Sequence, residues 1–152
     1  IRVPFKIDME ADKREEQKEV PEKSIKGLHI LLAEDNELNM EIAEFMLQNE
    51  GADVTKAWNG QEAVELFEKS RAGEFDVILM DIMMPVMNGY DATKTIRSLD
   101  REDAKEVPII AMTANAFTED RIRAKEAGMD EHVAKPVDVE LLIKVIHKLV
   151  ND

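Results

Sequence analysis

From Leu28 onward the chain alternates short apolar runs with longer stretches of helical period. The runs are LHILLA (28–33), ADVTKA (52–57), FDVILM (75–80), VPIIAM (107–112) and EHVAK (131–135). Between and after them lie ELNMEIAEFMLQNEG, NGQEAVELFEKSRAG, NGYDATKTIRSL, FTEDRIRAKEAG and VDVELLIKVIHKLV. In the second of these segments Ala63, Val64, Leu66 and Phe67 form an apolar stripe, and in the last Leu141, Leu142, Val145, Ile146 and Leu149 do the same. Gly51, Gly73 and Gly128 each stand where a helix has to stop before the next strand. The pattern predicts five strands alternating with five helices, hence an α/β fold with a parallel sheet and right-handed crossovers.

The runs are not alike. Those at 28–33, 75–80 and 107–112 are nearly all apolar, as strands covered on both faces must be. The second carries Asp53, Thr55 and Lys56, and the fifth Glu131, His132 and Lys135, which suits sheet edges. Edge places for strands two and five match the order 2-1-3-4-5 of a flavodoxin-like, doubly wound sheet with helices on both faces.

Ahead of this pattern, Ile1, Val3, Phe5 and Ile7 alternate with polar positions and predict a half-buried strand, with Pro4 keeping it from a central place. The segment MEADKREEQKEVPEKSIKG that follows is dense in Glu and Lys, with Pro21 in its middle, and reads as a solvated linker. Two units are therefore expected: residues 1–26, the end of an upstream domain plus a charged linker, and residues 27–152, a folded domain. A chain that begins at Ile1 suits a piece cut from a longer polypeptide.

Composition narrows the class of function. At 152 residues, with 44% hydrophobic and 35% charged, the chain can bury a real core and is not a disordered one. The net charge of -13 excludes unaided binding to nucleic acid, whose phosphates need a basic face. No apolar run approaches the roughly 20 residues needed to cross a bilayer. With no cysteine there is neither a disulfide framework nor a thiolate metal site, which fits a cytoplasmic location, whether or not a parent chain is anchored in a membrane.

In sheets of this kind ligands bind outside the carboxyl ends of the strands. Strand one ends in Glu34 and Asp35, strand three in Asp81, strand four in Thr113 and strand five in Lys135. Three carboxylates, a hydroxyl and an ammonium thus converge on one rim. Carboxylates packed together repel one another unless a cation is supplied, and an all-oxygen cluster suits a hard ion such as Mg²⁺. A carboxylate can also act as a nucleophile toward phosphorus, a reaction that needs mainly positioning and charge neutralisation.

Four separated motifs, LLAEDN, VILMDIMMPVMNG, IIAMTANA and HVAKP, resemble in order and spacing the receiver domains of two-component response regulators, over roughly residues 27–152. The resemblance implies that Asp81 accepts a phosphoryl group from a phosphohistidine. It implies that Glu34 and Asp35 hold Mg²⁺ together with Asp81 and the backbone carbonyl of Met83. Thr113 would swing toward the phosphoryl group as a switch, Lys135 would pair with it, Met83 and Asn115 would flank the phosphoryl site and influence the rate of dephosphorylation, and the Lys135–Pro136 peptide would be cis. The donor would be a histidine kinase domain, on the same chain or separate, and a histidine phosphotransfer domain would be a further partner. A receiver catalyses only its own phosphorylation and dephosphorylation. The segment EDNELNMEIAEFML, with Asn36 and Asn39, is similar to receivers fused to sensor histidine kinases, and IRVPFKID resembles the closing strand of a kinase ATP-binding domain. The chain therefore reads as the C-terminal receiver of a hybrid sensor histidine kinase, with a phosphotransferase as its parent. One departure is His132, three residues before Lys135, where the family carries the aromatic partner of the Thr113 switch.

Other readings compete. The chain could stand alone as a single-domain regulator. It could be a Mg²⁺-dependent phosphohydrolase with an aspartyl nucleophile, but such enzymes place an acid two residues further on, where Met83 stands. A binding module that had lost the chemistry should lack the acceptor, the acid pair or the lysine, and none is missing. Singly, Asp81 could be a turn residue, Glu34 and Asp35 helix-terminal charges, Thr113 a helix cap and Lys135 a solvated edge residue. His132 alone would read as a partly buried structural side chain, and Trp58 as packing at the sheet edge. The methionines of MMPVM suit either an adaptable surface or core filler.

Overall fold

A computed structural model describes residues 25–114, 118–135 and 138–151. The strand expected at Ile1–Ile7, most of the charged linker, Asn115 and Pro136 lie outside the described residues. The elements run β1 (His29–Ala33), α1 (Glu37–Asn49), β2 (Asp53–Ala57), α2 (Gly60–Lys69), β3 (Val77–Asp81), α3 (Gly89–Arg97), α4 (Glu102–Glu106), β4 (Ile109–Thr113), α5 (Thr118–Ala127), β5 (Glu131–Ala134) and α6 (Val139–Asn151). The five strands pair in parallel in the order β2-β1-β3-β4-β5, as the edge argument required.

Strand alternation sorts the core into two layers. Leu31, Ala33, Ile78, Met80, Ile109 and Ala111 face one side, where Ala63, Val64 and Phe67 of α2, Ile96 of α3, Ala104 of α4 and Ala124 of α5 cover them. Ile30, Leu32, Val77, Leu79, Ile110 and Met112 face the other, under Met40, Ala43 and Leu47 of α1 and Leu142, Ile143 and Ile146 of α6. Because side chains alternate with period two, each central strand must be apolar on every residue to serve both layers. Ile25, fully buried in the second layer, already belongs to this packing, two residues ahead of the boundary expected at 27.

Two details differ from the sequence pattern. The short helix α4 was not expected; Arg101, ahead of it, pairs with Asp103 at 2.8 Å and reaches the Phe67 carbonyl at 2.8 Å, with its guanidinium over the Phe67 ring. That anchorage depends on contacts more than thirty residues away and left no periodic signal. On α6, Leu141 faces outward at 49% exposure while Ile143 is buried, so the stripe is rotated from the one read off the sequence.

Local chemistry sets where the helices start. Asn36, Asn59 and Asn88 cap α1, α2 and α3, each side chain accepting from the backbone N–H three residues on. Glu62 closes the α2 cap by accepting from the Trp58 N–H. Asn88–Gly89 is thus a cap and first helical residue rather than a free turn. The caps place all three helix N-termini at the carboxyl ends of β1, β2 and β3. At the far end of α3, Arg97 donates to Gly128 O, Ala104 O and Asp130, fastening α3 to the α5–β5 turn.

Candidate functional site

The five strand ends make one crevice rim, and the chain delivers most of its predicted site residues to it. Glu34 follows β1 directly, held by its N–H to Ala57 O at 3.0 Å, and its side chain accepts from Asn36 N–H at 3.1 Å. Asp81 is the last residue of β3, and its Oδ1 accepts from Met83 N–H at 3.3 Å. Lys135 follows β5, and its N–H donates to Thr113 O at 2.8 Å. From that position Lys135 Nζ lies 2.9 Å from Asp81 Oδ2 and 3.0 Å from Glu34 Oε1.

Glu34 and Asp81 are both buried, at 3% and 2% exposure, while Asp35 is open to solvent. Oxygens of Glu34, Asp35 and Asp81 all lie within 4.8 Å of one another. Burial pushes the Asp81 carboxyl up, the hydrogen bond from Lys135 draws it back, and the charge of Glu34 raises it again; it ends at about 7 against an ordinary 3.8. For Lys135 burial acts downward, but the hydrogen bonds and charges of Asp81 and Glu34 more than offset it, and its pKa lies above the ordinary value. One ammonium among three carboxylates leaves the crevice short of positive charge. A hard divalent cation fits that deficit: the donors are all oxygen, two are recessed, and the third faces water, where a partly hydrated ion can sit.

Thr113 is the last residue of β4, is buried, and pairs in register with Ala134. His132 pairs in register with Ala111, two places short of the Thr113–Ala134 pair. Ala111 belongs to the layer under α5, so Thr113 and His132 stand on that same face. His132 is about a quarter exposed, with Nδ1 3.9 Å from Glu131, and lines a cavity of 230 Å³ with Arg121 and Lys125 of α5. Among the described residues no ion pair joins His132 to Glu34, Asp35 or Asp81; its own is with Glu131. His29 lies at the opposite end of the sheet, its N–H bonded to Asp76.

Sequence reasoning missed the packing of the loop after Asp81. Val86 has φ 68, in the left-handed region that a β-branched residue seldom enters, and Met87 N–H donates to Pro85 O at 2.6 Å across it. Gly60 donates to Met87 O at 3.0 Å, joining the β2–α2 loop to this one. A Cβ on Gly89 would press into the Asp81 carbonyl and approach Ile82 Cα at 2.9 Å, so only glycine lets α3 start against the end of β3. The paired Asn–Gly steps at 59–60 and 88–89 were the available signal. Trp58, at 38% exposure, is less enclosed than its expected packing role implied. On α1, Leu38, Ile42 and Phe45 form an exposed apolar stripe opposite the buried one, with Phe45 70% exposed.

A five-stranded parallel sheet of this order, with acid residues gathered where β1 and β3 end, is a doubly wound α/β domain with a candidate cation site at its rim. The chain belongs to the response regulator receiver domain family, whose model matches residues 30–147. Histidine kinase 1 of Arabidopsis thaliana is 35% identical over 84% of this chain, and hybrid signal transduction histidine kinase M of Dictyostelium discoideum is 44% identical over 80%. The chain spans 13% and 5% of the lengths of these relatives. Among solved structures, the receiver domain of a sensor histidine kinase from Pseudomonas aeruginosa, with a magnesium ion coordinated in its active site cleft, has 40% identity and a TM-score of 0.75. The match covers 83% of this chain and 99% of that one. A Saccharomyces cerevisiae receiver domain, co-crystallised with a histidine phosphotransfer protein, has 28% identity and a TM-score of 0.72, covering 83% of this chain and 90% of that one. Among the described residues no helix is long and apolar enough to cross a membrane.

Proposed function

We propose that this receiver domain takes a phosphoryl group from a phosphohistidine onto Asp81 and passes the signal on through its α5 face. Asp81 supplies the nucleophilic oxygen: an O–P bond forms, the N–P bond breaks, and the electron pair returns to the donor imidazole. Lys135, 2.9 Å from Asp81, offsets the charge that the acceptor carries before and after transfer. Glu34, Asp35, Asp81 and the backbone carbonyl of Met83 would hold Mg²⁺, which when bound neutralises charge on the transferring phosphoryl oxygens. The observation that carries the reading is the contact of one ammonium with two recessed carboxylates, beside a third that faces water.

Thr113 and His132 are the switch positions in this reading. Thr113 closes on the phosphoryl group, and the shift is passed along the same sheet face to His132 and α5. A histidine in place of an aromatic side chain makes the second step polar.

The donor and location follow from the same chemistry. The curated relatives point to a hybrid histidine kinase as the parent, with its kinase domain as donor and a histidine phosphotransfer domain as the onward acceptor, in the cytoplasm where the ATP for such transfers is found. Asp81 is too recessed to meet a protein donor unless that donor presses against the rim, and the Leu38, Ile42 and Phe45 stripe is the apolar surface beside it. A phosphohydrolase reading lacks a general acid, because the residue two after Asp81 is Met83, with its side chain in solvent.

The test is Mg²⁺-dependent labelling of Asp81 by acetyl phosphate. Labelling that is abolished in Asp81→Asn supports the proposal; an intact domain that takes no label and binds no beryllofluoride overturns it.

A further inference from the structure

The loop after Asp81 holds a methionine whose side chain, unlike its backbone carbonyl, has no part in the proposed phosphoryl transfer. Met83 is 75% exposed, while Met40, Met80, Met84, Met112 and Met129 are buried. Its neighbours in sequence, Ile82 and Met84, are buried at 5% and 9%, and its own N–H is bonded to Asp81 Oδ1 at 3.3 Å. The backbone is thus held beside Asp81 between two buried neighbours, and the Met83 side chain is left largely open to solvent. Beyond it, the left-handed Val86 and the Pro85–Met87 turn keep the loop in this shape.

We propose that Met83 is a site of reversible oxidation to the sulfoxide, through which a hydroperoxide shortens the time that Asp81 keeps a phosphoryl group. The inference rests on the phosphoacceptor role proposed above. Sulfur attacks one peroxide oxygen and the O–O bond breaks. That oxygen stays on sulfur, and the other leaves as water or an alcohol. Sulfur loses two electrons and the peroxide gains them. The crevice rim carries Glu34, Asp35 and Asp81, so a neutral hydroperoxide approaches it more readily than an anionic oxidant.

The consequence follows from polarity. A thioether is a weak acceptor and orders no water near the acyl phosphate, whereas a sulfoxide oxygen is a strong acceptor. Placed two residues from Asp81, it holds a water beside the phosphoryl group, where hydrolysis needs one. Because the side chain packs against no core layer, the added oxygen changes the rim without unfolding the domain.

The test treats the whole chain with dilute hydrogen peroxide, maps oxidised methionines by mass spectrometry, and follows the loss of label from acetyl-phosphate-treated protein. Met83 should oxidise on the order of tenfold faster than Met40, Met80 and Met112. The label should then decay about threefold faster or more, and methionine sulfoxide reductase should restore the original decay. Met83→Leu should show the same decay before and after peroxide, whatever its own rate. The proposal is overturned if Met83 oxidises no faster than the buried methionines, if decay is unchanged after Met83 is oxidised, or if Met83→Leu responds like the parent. Protein that takes no label even before peroxide overturns the phosphoacceptor reading, and this inference with it.

Discussion

Lys135 and Asp81, 54 positions apart in the chain, meet at 2.9 Å across the ends of β5 and β3. β4 lies between those strands, so the lysine reaches past the end of β4 to touch Asp81, and it bonds Glu34 at 3.0 Å from the same position. Lys135→Met would keep an unbranched side chain one atom shorter and remove its charge. The rate of Asp81 labelling by acetyl phosphate should fall on the order of 100-fold, the scale seen when one preorganised charge-stabilising donor is lost. Labelling within a few-fold of the parent would show that the contact is structural only.

Asp81 binds its proton more tightly in the folded domain, at about 7, than in the unfolded chain, at 3.8. Between those values the folded state holds the extra proton, so this group's contribution to stability is greatest below about 4 and is lost as pH rises through 7. Lys135 is charged in both states across that window and adds no slope there. Without divalent cation, Asp81→Asn should therefore stabilise the domain at pH 8 relative to pH 5, by roughly 1–4 kcal/mol given that each pKa unit is worth about 1.4 kcal/mol, while Lys135 keeps Glu34 as its partner. The gain should shrink as the pH approaches 4. Urea denaturation at pH 8 and pH 5 reads both, and a pH-independent difference would contradict the argument. Added Mg²⁺ should stabilise the parent through the same carboxylates and leave Asp81→Asn less affected.

Gly89 opens α3 against the backbone of Asp81 and Ile82, and its N–H donates to Ile82 O at 2.9 Å. Gly89→Ala should cost about 1–3 kcal/mol by overpacking, since the obstructing atoms are backbone and cannot rotate away. It should also slow labelling by acetyl phosphate, because α3 can move away only by shifting the strand end that carries Asp81. An unchanged urea midpoint would show that the helix start gives way freely.

Phe45 and Leu38 stand on the solvent side of α1, and neither packs in the α1 core layer. Phe45→Ser should leave labelling by acetyl phosphate within twofold of the parent and slow transfer from a phosphorylated histidine phosphotransfer protein by roughly tenfold, the effect of losing one apolar anchor of an interface. Equal loss with both donors would place the effect in the fold, and no loss with either would remove α1 from the docking surface.

Much of this architecture can be read along the chain because its causes are local or periodic. Fully apolar runs at β1, β3 and β4 and mixed runs at β2 and β5 separate the centre of the sheet from its edges, and the asparagine caps mark where helices begin. The identities of Glu34, Asp35, Asp81, Thr113 and Lys135 at strand ends follow from the same reading, because a parallel sheet gathers those ends on one rim. The sequence by itself therefore determined the layer plan and the chemical kinds of group in the crevice. Tertiary structure alone decided what depends on contacts between distant segments. These are the pairing of Lys135 with both Glu34 and Asp81, the burial that raises the Asp81 pKa, the left-handed turn at Val86, the short α4 fastened by Arg101, and the outward projection of Met83. The physical reason is shared: each is fixed by distance, solvent exclusion or steric closure in the folded chain, and none imposes a period or a composition on its own neighbours.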